Sequence, residues 1–200
     1  MLWTTGEQSM KWIDTNYKIE ALEYLLDKEC LPEKYDPLIP FKKNLITQSH
    51  SMGYQTKKDI ADLPDAEWVR FGLQDENTIR LMRRFLSLYD PRPQKWKEIE
   101  KLDLSEKEKL AFQELYYLPG VKQTRAALYY GSGYDSLKRI AEADWKEILE
   151  KTALTISAKQ LPCIVPLPKE VRTHIAVAKA FTEKANEPDA EETDNKKFEE

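Results

Sequence analysis

The chain reads as an all-α protein, and three observations carry that reading. Apolar residues recur at three- and four-residue steps along most of its 200 residues, the spacing that lines one face of a helix. No stretch sustains the alternation of a half-buried strand; Cys163-Ile164-Val165 lies between two prolines and is too short to count. Third, Gly53-Tyr54-Gln55-Thr56-Lys57-Lys58-Asp59-Ile60-Ala61-Asp62 returns eighty positions later as Gly133-Tyr134-Asp135-Ser136-Leu137-Lys138-Arg139-Ile140-Ala141-Glu142, with five of the ten pairs identical. A shared offset of this kind predicts one helical unit used twice.

Taken in order, Ile13, Tyr17, Ala21, Tyr24 and Leu25 predict an amphipathic first helix. Pro32, Pro37 and Pro40 punctuate the next stretch and predict an extended connector. Leu45, Ile46 and Met52 fit a helix that stops near Gly53, a residue able to take the left-handed cap conformation. Thr56 then stands at an N-cap with Asp59 three residues on, the start of a short helix. Further helices are expected from Asp65, across Leu73 to Leu88 and across Lys95 to Leu102, interrupted around Asp90-Pro91-Arg92-Pro93. Ser105-Glu106-Lys107-Glu108 is a clean capping box that opens a helix through Leu110, Phe112, Leu115 and Tyr116. Leu118-Pro119-Gly120-Val121 breaks that helix, and Lys122-Gln123-Thr124-Arg125-Ala126-Ala127-Leu128 starts another at once. Gly131-Ser132-Gly133 stops it before a short helix at Ser136.

The segment from Leu118 to Leu128 resembles the helix-hairpin-helix family, in which an apolar-Pro-Gly-Val-Gly turn joins two helices. That family commonly continues with a Gly-Tyr/Ile-Thr/Ser-x-x-x-Ile/Leu-Ala stretch, as Gly133 to Ala141 does here. The resemblance covers Ser105 to about Lys159, where Leu154-Thr155-Ile156-Ser157-Ala158-Lys159 reads as a degraded second hairpin. At the offset of eighty, Leu38-Ile39-Pro40-Phe41-Lys42 and Leu73-Gln74-Asp75-Glu76 take the corresponding places in the first copy. It implies tandem, SAM-like helical units: an N-terminal helix and connector (1–36), a degenerate repeat (37–90), a linker helix (91–104) and a clearer repeat (105–182). Residues 183–200 carry eight acidic and three basic side chains without apolar periodicity, and are expected to form a disordered acidic tail.

In such a family the hairpin and the next helix start present unpaired N–H groups and a positive dipole end, which together hold a phosphate. That mode reads backbone, so it implies sequence-independent DNA binding. The expected contacts are the backbone of Gly120, Val121 and Lys122 and the side chains of Lys122 and Arg125, with Gln123, Thr124 and Lys138 alongside. Lys42, Lys43, Lys57 and Lys58 form a secondary basic patch in the first copy. Two departures matter: Lys122 replaces the second glycine of the hairpin, and Pro40 stands where the second copy has Gly120. The first hairpin is therefore expected to be structural. A protein-interaction scaffold built on the same helices is the alternative.

Composition bounds the rest. The formal charge is −4, but without the stretch from Glu183 onward it is about +1. No apolar run approaches the roughly 20 residues of a membrane helix, and Met1-Leu2-Trp3-Thr4-Thr5-Gly6-Glu7 lacks the regions of a signal peptide. Cys30 and Cys163 suggest two buried free thiols, so a cytoplasmic location without a membrane partner is expected. His50 and His174 have no zinc spacing, Gly131-Ser132-Gly133 is a helix stop rather than a nucleophile elbow, and nothing points to a cofactor. The expectation is a non-catalytic protein; a nuclease or lyase accessory role would need carboxylates converging beside the hairpin. Tyr129, Tyr130, Tyr134, Trp68 and Trp145 are expected in the core, and Arg80, Arg83 and Arg84 on a solvated face.

Overall fold

A computed structural model describes residues 13–90 and 93–183, and of residues 93–96 the backbone alone. Eleven α-helices follow one another in it: α1 (Leu22–Leu25), α2 (Lys42–Ser51), α3 (Lys57–Ala61), α4 (Asp65–Trp68), α5 (Glu76–Leu86), α6 (Pro93–Glu100), α7 (Glu106–Leu115), α8 (Gln123–Gly131), α9 (Leu137–Glu142), α10 (Trp145–Lys159) and α11 (Pro168–Thr182). Short 3₁₀ segments cover Ile19–Ala21, Glu33–Phe41 and Val69–Phe71. The described residues hold no strand, only an isolated antiparallel bridge between Lys18 and Thr56. The acidic tail expected at 183–200 lies outside the described residues beyond Glu183.

Capping chemistry sets several helix starts. Asp59 accepts the Thr56 N–H (2.7 Å) and Glu108 the Ser105 N–H (2.9 Å), the reciprocal half of each capping box. Asp75 accepts the Thr78 N–H at 2.8 Å, and Asp144 the Lys146 N–H at 2.8 Å, fixing α5 and α10.

Three expectations are corrected. The first helix shrinks to the 3₁₀ turn and α1, because Ile19 N–H donates to Gln55 C=O and Tyr17 C=O accepts from Lys57 N–H, both at 2.9 Å. Backbone groups used in that bridge cannot also serve a helix. The connector with Pro37 and Pro40 is a nine-residue 3₁₀ helix rather than extended chain. Proline's fixed φ near −65° lies inside the 3₁₀ range. Leu154 to Lys159 form no second hairpin: α10 runs through them, with neither proline nor glycine between Trp145 and Lys159 to stop it.

Two turns eighty residues apart share their hydrogen bonds. After α2, Gly53 (φ 77°) donates to His50 C=O and Tyr54 to Ser49 C=O; after α8, Gly133 (φ 90°) donates to Tyr130 C=O and Tyr134 to Tyr129 C=O. Each turn needs a left-handed residue, and glycine adopts it without a Cβ penalty. The two stretches then diverge. Gly72 (φ 84°) ends the helical stretch begun by α4, while its counterpart Thr152 sits buried inside α10.

One contiguous set of buried apolar side chains runs from Tyr17 to Phe181 and crosses both halves. The last helix ties them together. Val171, His174, Val177, Ala178 and Phe181 are buried along α11 at helical spacing, and α11 packs against both α9 and α1. Trp68 is fully buried, as expected; Trp145 is only partly buried and carries the Arg172 guanidinium 4.3 Å above its ring. Cys30 and Cys163 are half-buried rather than buried.

Candidate phosphate-binding hairpin

The turn between α7 and α8 is closed by a Val121 N–H to Leu118 C=O bond of 3.2 Å. Leu118 and Val121 are buried, which anchors the hairpin to the core from within. Gly120 (φ 73°) lies exposed at its tip, and a Cβ there would meet nothing within 4 Å. Lys122 follows in extended conformation as the N-cap of α8, without a side-chain cap. The first intrahelical bond runs from Ala126 N–H to Lys122 C=O. The N–H groups of Gln123, Thr124 and Arg125 thus meet no acceptor among the described residues, as helix starts leave them when nothing caps. Lys122, Gln123 and Thr124 are exposed around them.

The turn is held from behind by His174 of α11. Its Nε2 lies 2.9 Å from Pro119 C=O, and its Nδ1 lies 2.7 Å from the Tyr129 hydroxyl. A carbonyl only accepts, so Nε2 carries the hydrogen, and the Tyr129 hydroxyl donates to Nδ1. Burial pushes the His174 pKa down from 6.5 to about 4, which keeps the ring neutral. The histidine that lacked metal spacing fixes the carbonyl next to Gly120. No pattern in the sequence pairs it with Tyr129 or Pro119.

Arg125 does not point outward. Its Nε and Nη2 donate to the two carboxylate oxygens of Glu170 (3.0 and 3.3 Å), and Nη1 donates to Ile164 C=O at 3.0 Å. The same carboxylate accepts Leu167 N–H at 3.2 Å. Arg125 therefore fastens residues 164–170 to the start of α8 instead of waiting for a phosphate. Lys138 is exposed, 3.9 Å from Glu142, and Arg139 is drawn to Asp135 and Gly133 C=O. Tyr129 and Tyr134 are buried and Tyr130 partly so, in keeping with core roles.

The basic patch of the first copy does not assemble. Lys57 is 5% exposed and ion-paired to Asp90, below the Tyr17 ring. Lys42 is turned to the Glu23 carboxylate and carbonyl, leaving Lys43 and Lys58 exposed. Nor does α2 offer a helix start. Phe41 is already in the αR conformation, and Lys42 N–H donates to Ile39 C=O, so the 3₁₀ segment passes directly into α2.

A feature that composition alone could have flagged borders the hairpin. In Leu161-Pro162-Cys163-Ile164-Val165-Pro166-Leu167-Pro168, Ile164 is 76% and Leu167 65% exposed. An apolar run bounded by prolines is unusual for a surface loop.

No family model matches the chain, and it is similar to no curated protein and to no solved structure at a significant level.

Proposed function

We propose that the chain is a non-catalytic, sequence-independent DNA-binding protein that holds backbone phosphate at the start of α8. The turns around Pro40 and Gly120 are read as the hairpins of two helix-hairpin-helix units, the first structural and the second binding. The observation that carries this reading is the trio of unpartnered N–H groups on Gln123, Thr124 and Arg125, beside exposed Gly120 and Lys122. The site is smaller than the sequence suggested, because Arg125 is committed to Glu170. Affinity should be modest and should fall with salt, through release of about one or two counterions.

Fluorescence anisotropy with labelled DNA across a salt series tests this. Salt-sensitive binding that Lys122→Glu abolishes and Lys43→Glu leaves intact supports the reading. No binding at low salt ends it. The alternative, docking of a protein partner, draws on the exposed Ile164, Val165 and Leu167. Burial of such side chains responds little to added salt, so the same series separates the two.

A further inference from the structure

An open groove of about 440 Å³ runs beside the α8 start, lined by Gly120, Lys122 and Thr124, by Pro162, Cys163 and Ile164, and by the Arg125–Glu170 ion pair. That volume falls within the range of small-ligand sites. The helix start brings its positive end and a lysine; the segment Pro162 to Ile164 is uncharged and apolar and continues in the chain to exposed Val165 and Leu167. The two are fastened together: Arg125 holds Ile164 C=O at 3.0 Å, and Glu170 holds both Arg125 and Leu167 N–H. The Glu170 carboxylate is satisfied by those donors, which limits its repulsion of an incoming anion.

We infer that the groove takes an unpaired nucleotide, with its phosphate on the α8 start and Lys122 and its base against Pro162 and Ile164. The inference rests on the phosphate-binding reading and adds to it a class of nucleic acid, single-stranded. Charge complementarity sets the orientation, anionic phosphate to the positive side and neutral base to the apolar wall. A duplex keeps its base faces stacked inside the helix, so at this edge it offers phosphate and leaves the apolar wall in water. An unpaired strand brings phosphate and base face together, and burying Ile164 then favours binding. Arg125 becomes a positioning residue, holding the wall at a fixed distance from the helix start.

The test compares an oligothymidine of about twenty nucleotides with a duplex of equal length, using the full chain at low salt. The expected preference for the single strand is about tenfold, the effect of removing roughly 50–60 Å² of apolar surface from water. The double substitution Ile164→Ser with Leu167→Ser should bring the two to parity. Both side chains are largely exposed, so the fold should survive, as circular dichroism would verify. Lys122→Glu should weaken both. Duplex bound equally well, or a preference that survives the double substitution, overturns the inference while leaving the phosphate site standing. Failure to bind either form overturns the phosphate site and this inference with it.

Discussion

At Gly53 and at Gly133 the chain leaves a helix by the same route, with the same hydrogen bonds and the same left-handed glycine. The approaches to those two helices differ. Before α8 the chain turns sharply at Gly120 and leaves three N–H groups open; before α2 it winds through Pro37 and Pro40 in 3₁₀ form and hands Lys42 N–H to Ile39. Buried positions differ as well. Leu137 in α9 corresponds to Lys57, which needs Asp90 as a partner, and Tyr129, bonded to His174, corresponds to Ser49, whose hydroxyl is buried without a partner. The same helix exit thus follows an open helix start in one place and a closed one in the other.

The largest effect should come from the His174 clamp, which has no counterpart among the described residues of the first half. Replacing His174 with Ala removes the partners of both Tyr129 and Pro119 C=O and leaves a cavity, at a cost of about 3 kcal/mol in denaturant unfolding. The pH dependence has a definite sign. The folded-state pKa of about 4 lies below the ordinary 6.5, so the unfolded chain takes up the proton first as pH falls. Stability that is fully present above pH 6.5 should be lost progressively toward pH 4, by about 3 kcal/mol. Subtracting the pH curve of His174→Gln isolates that contribution; identical curves would show that the ring titrates normally.

The second contrast concerns Lys57 and Leu137. Asp90→Ala strands a buried ammonium group and should cost about 2 kcal/mol, less than for a fully buried pair because Asp90 is half exposed. Lys57→Leu, which copies the second half, should be within about 1 kcal/mol of wild type or more stable. Equal losses for both substitutions would contradict the assignment of Lys57 as a paired core residue. The smallest contrast is between hydroxyls. Tyr129→Phe leaves a buried ring nitrogen unpaired and should cost about 1 kcal/mol, whereas Ser49→Ala removes a group with no partner and should cost nearly nothing.

Much of the fold was legible because it is written in local chemistry. The boxes at Thr56 and Ser105, the stop at Gly133 and the Pro119-Gly120 break each act within a few residues, and each appears where the sequence puts it. What was misread depends on distant partners. A helical apolar spacing runs from Ile13 to Leu25, but the backbone of residues 17–19 pairs with residues 55–57. Lys57 and Arg125 look like surface cations until Asp90 and Glu170 arrive from 33 and 45 positions away. His174 lies 55 residues from the carbonyl it holds, with no motif linking them.

The central claim is that α8, and not α2, presents a phosphate-binding start. The most direct measurement is a ¹H–¹⁵N NMR titration of the full chain with a short single-stranded oligonucleotide, following backbone amides residue by residue. The amides of Gly120 and of Lys122 to Arg125 should shift on binding and return toward their free positions as salt is raised, while those of Lys42, Lys43 and Asn44 stay still. Shifts confined to α2, or spread over Ile164 to Leu167 with no change at Gln123 to Arg125, would contradict it.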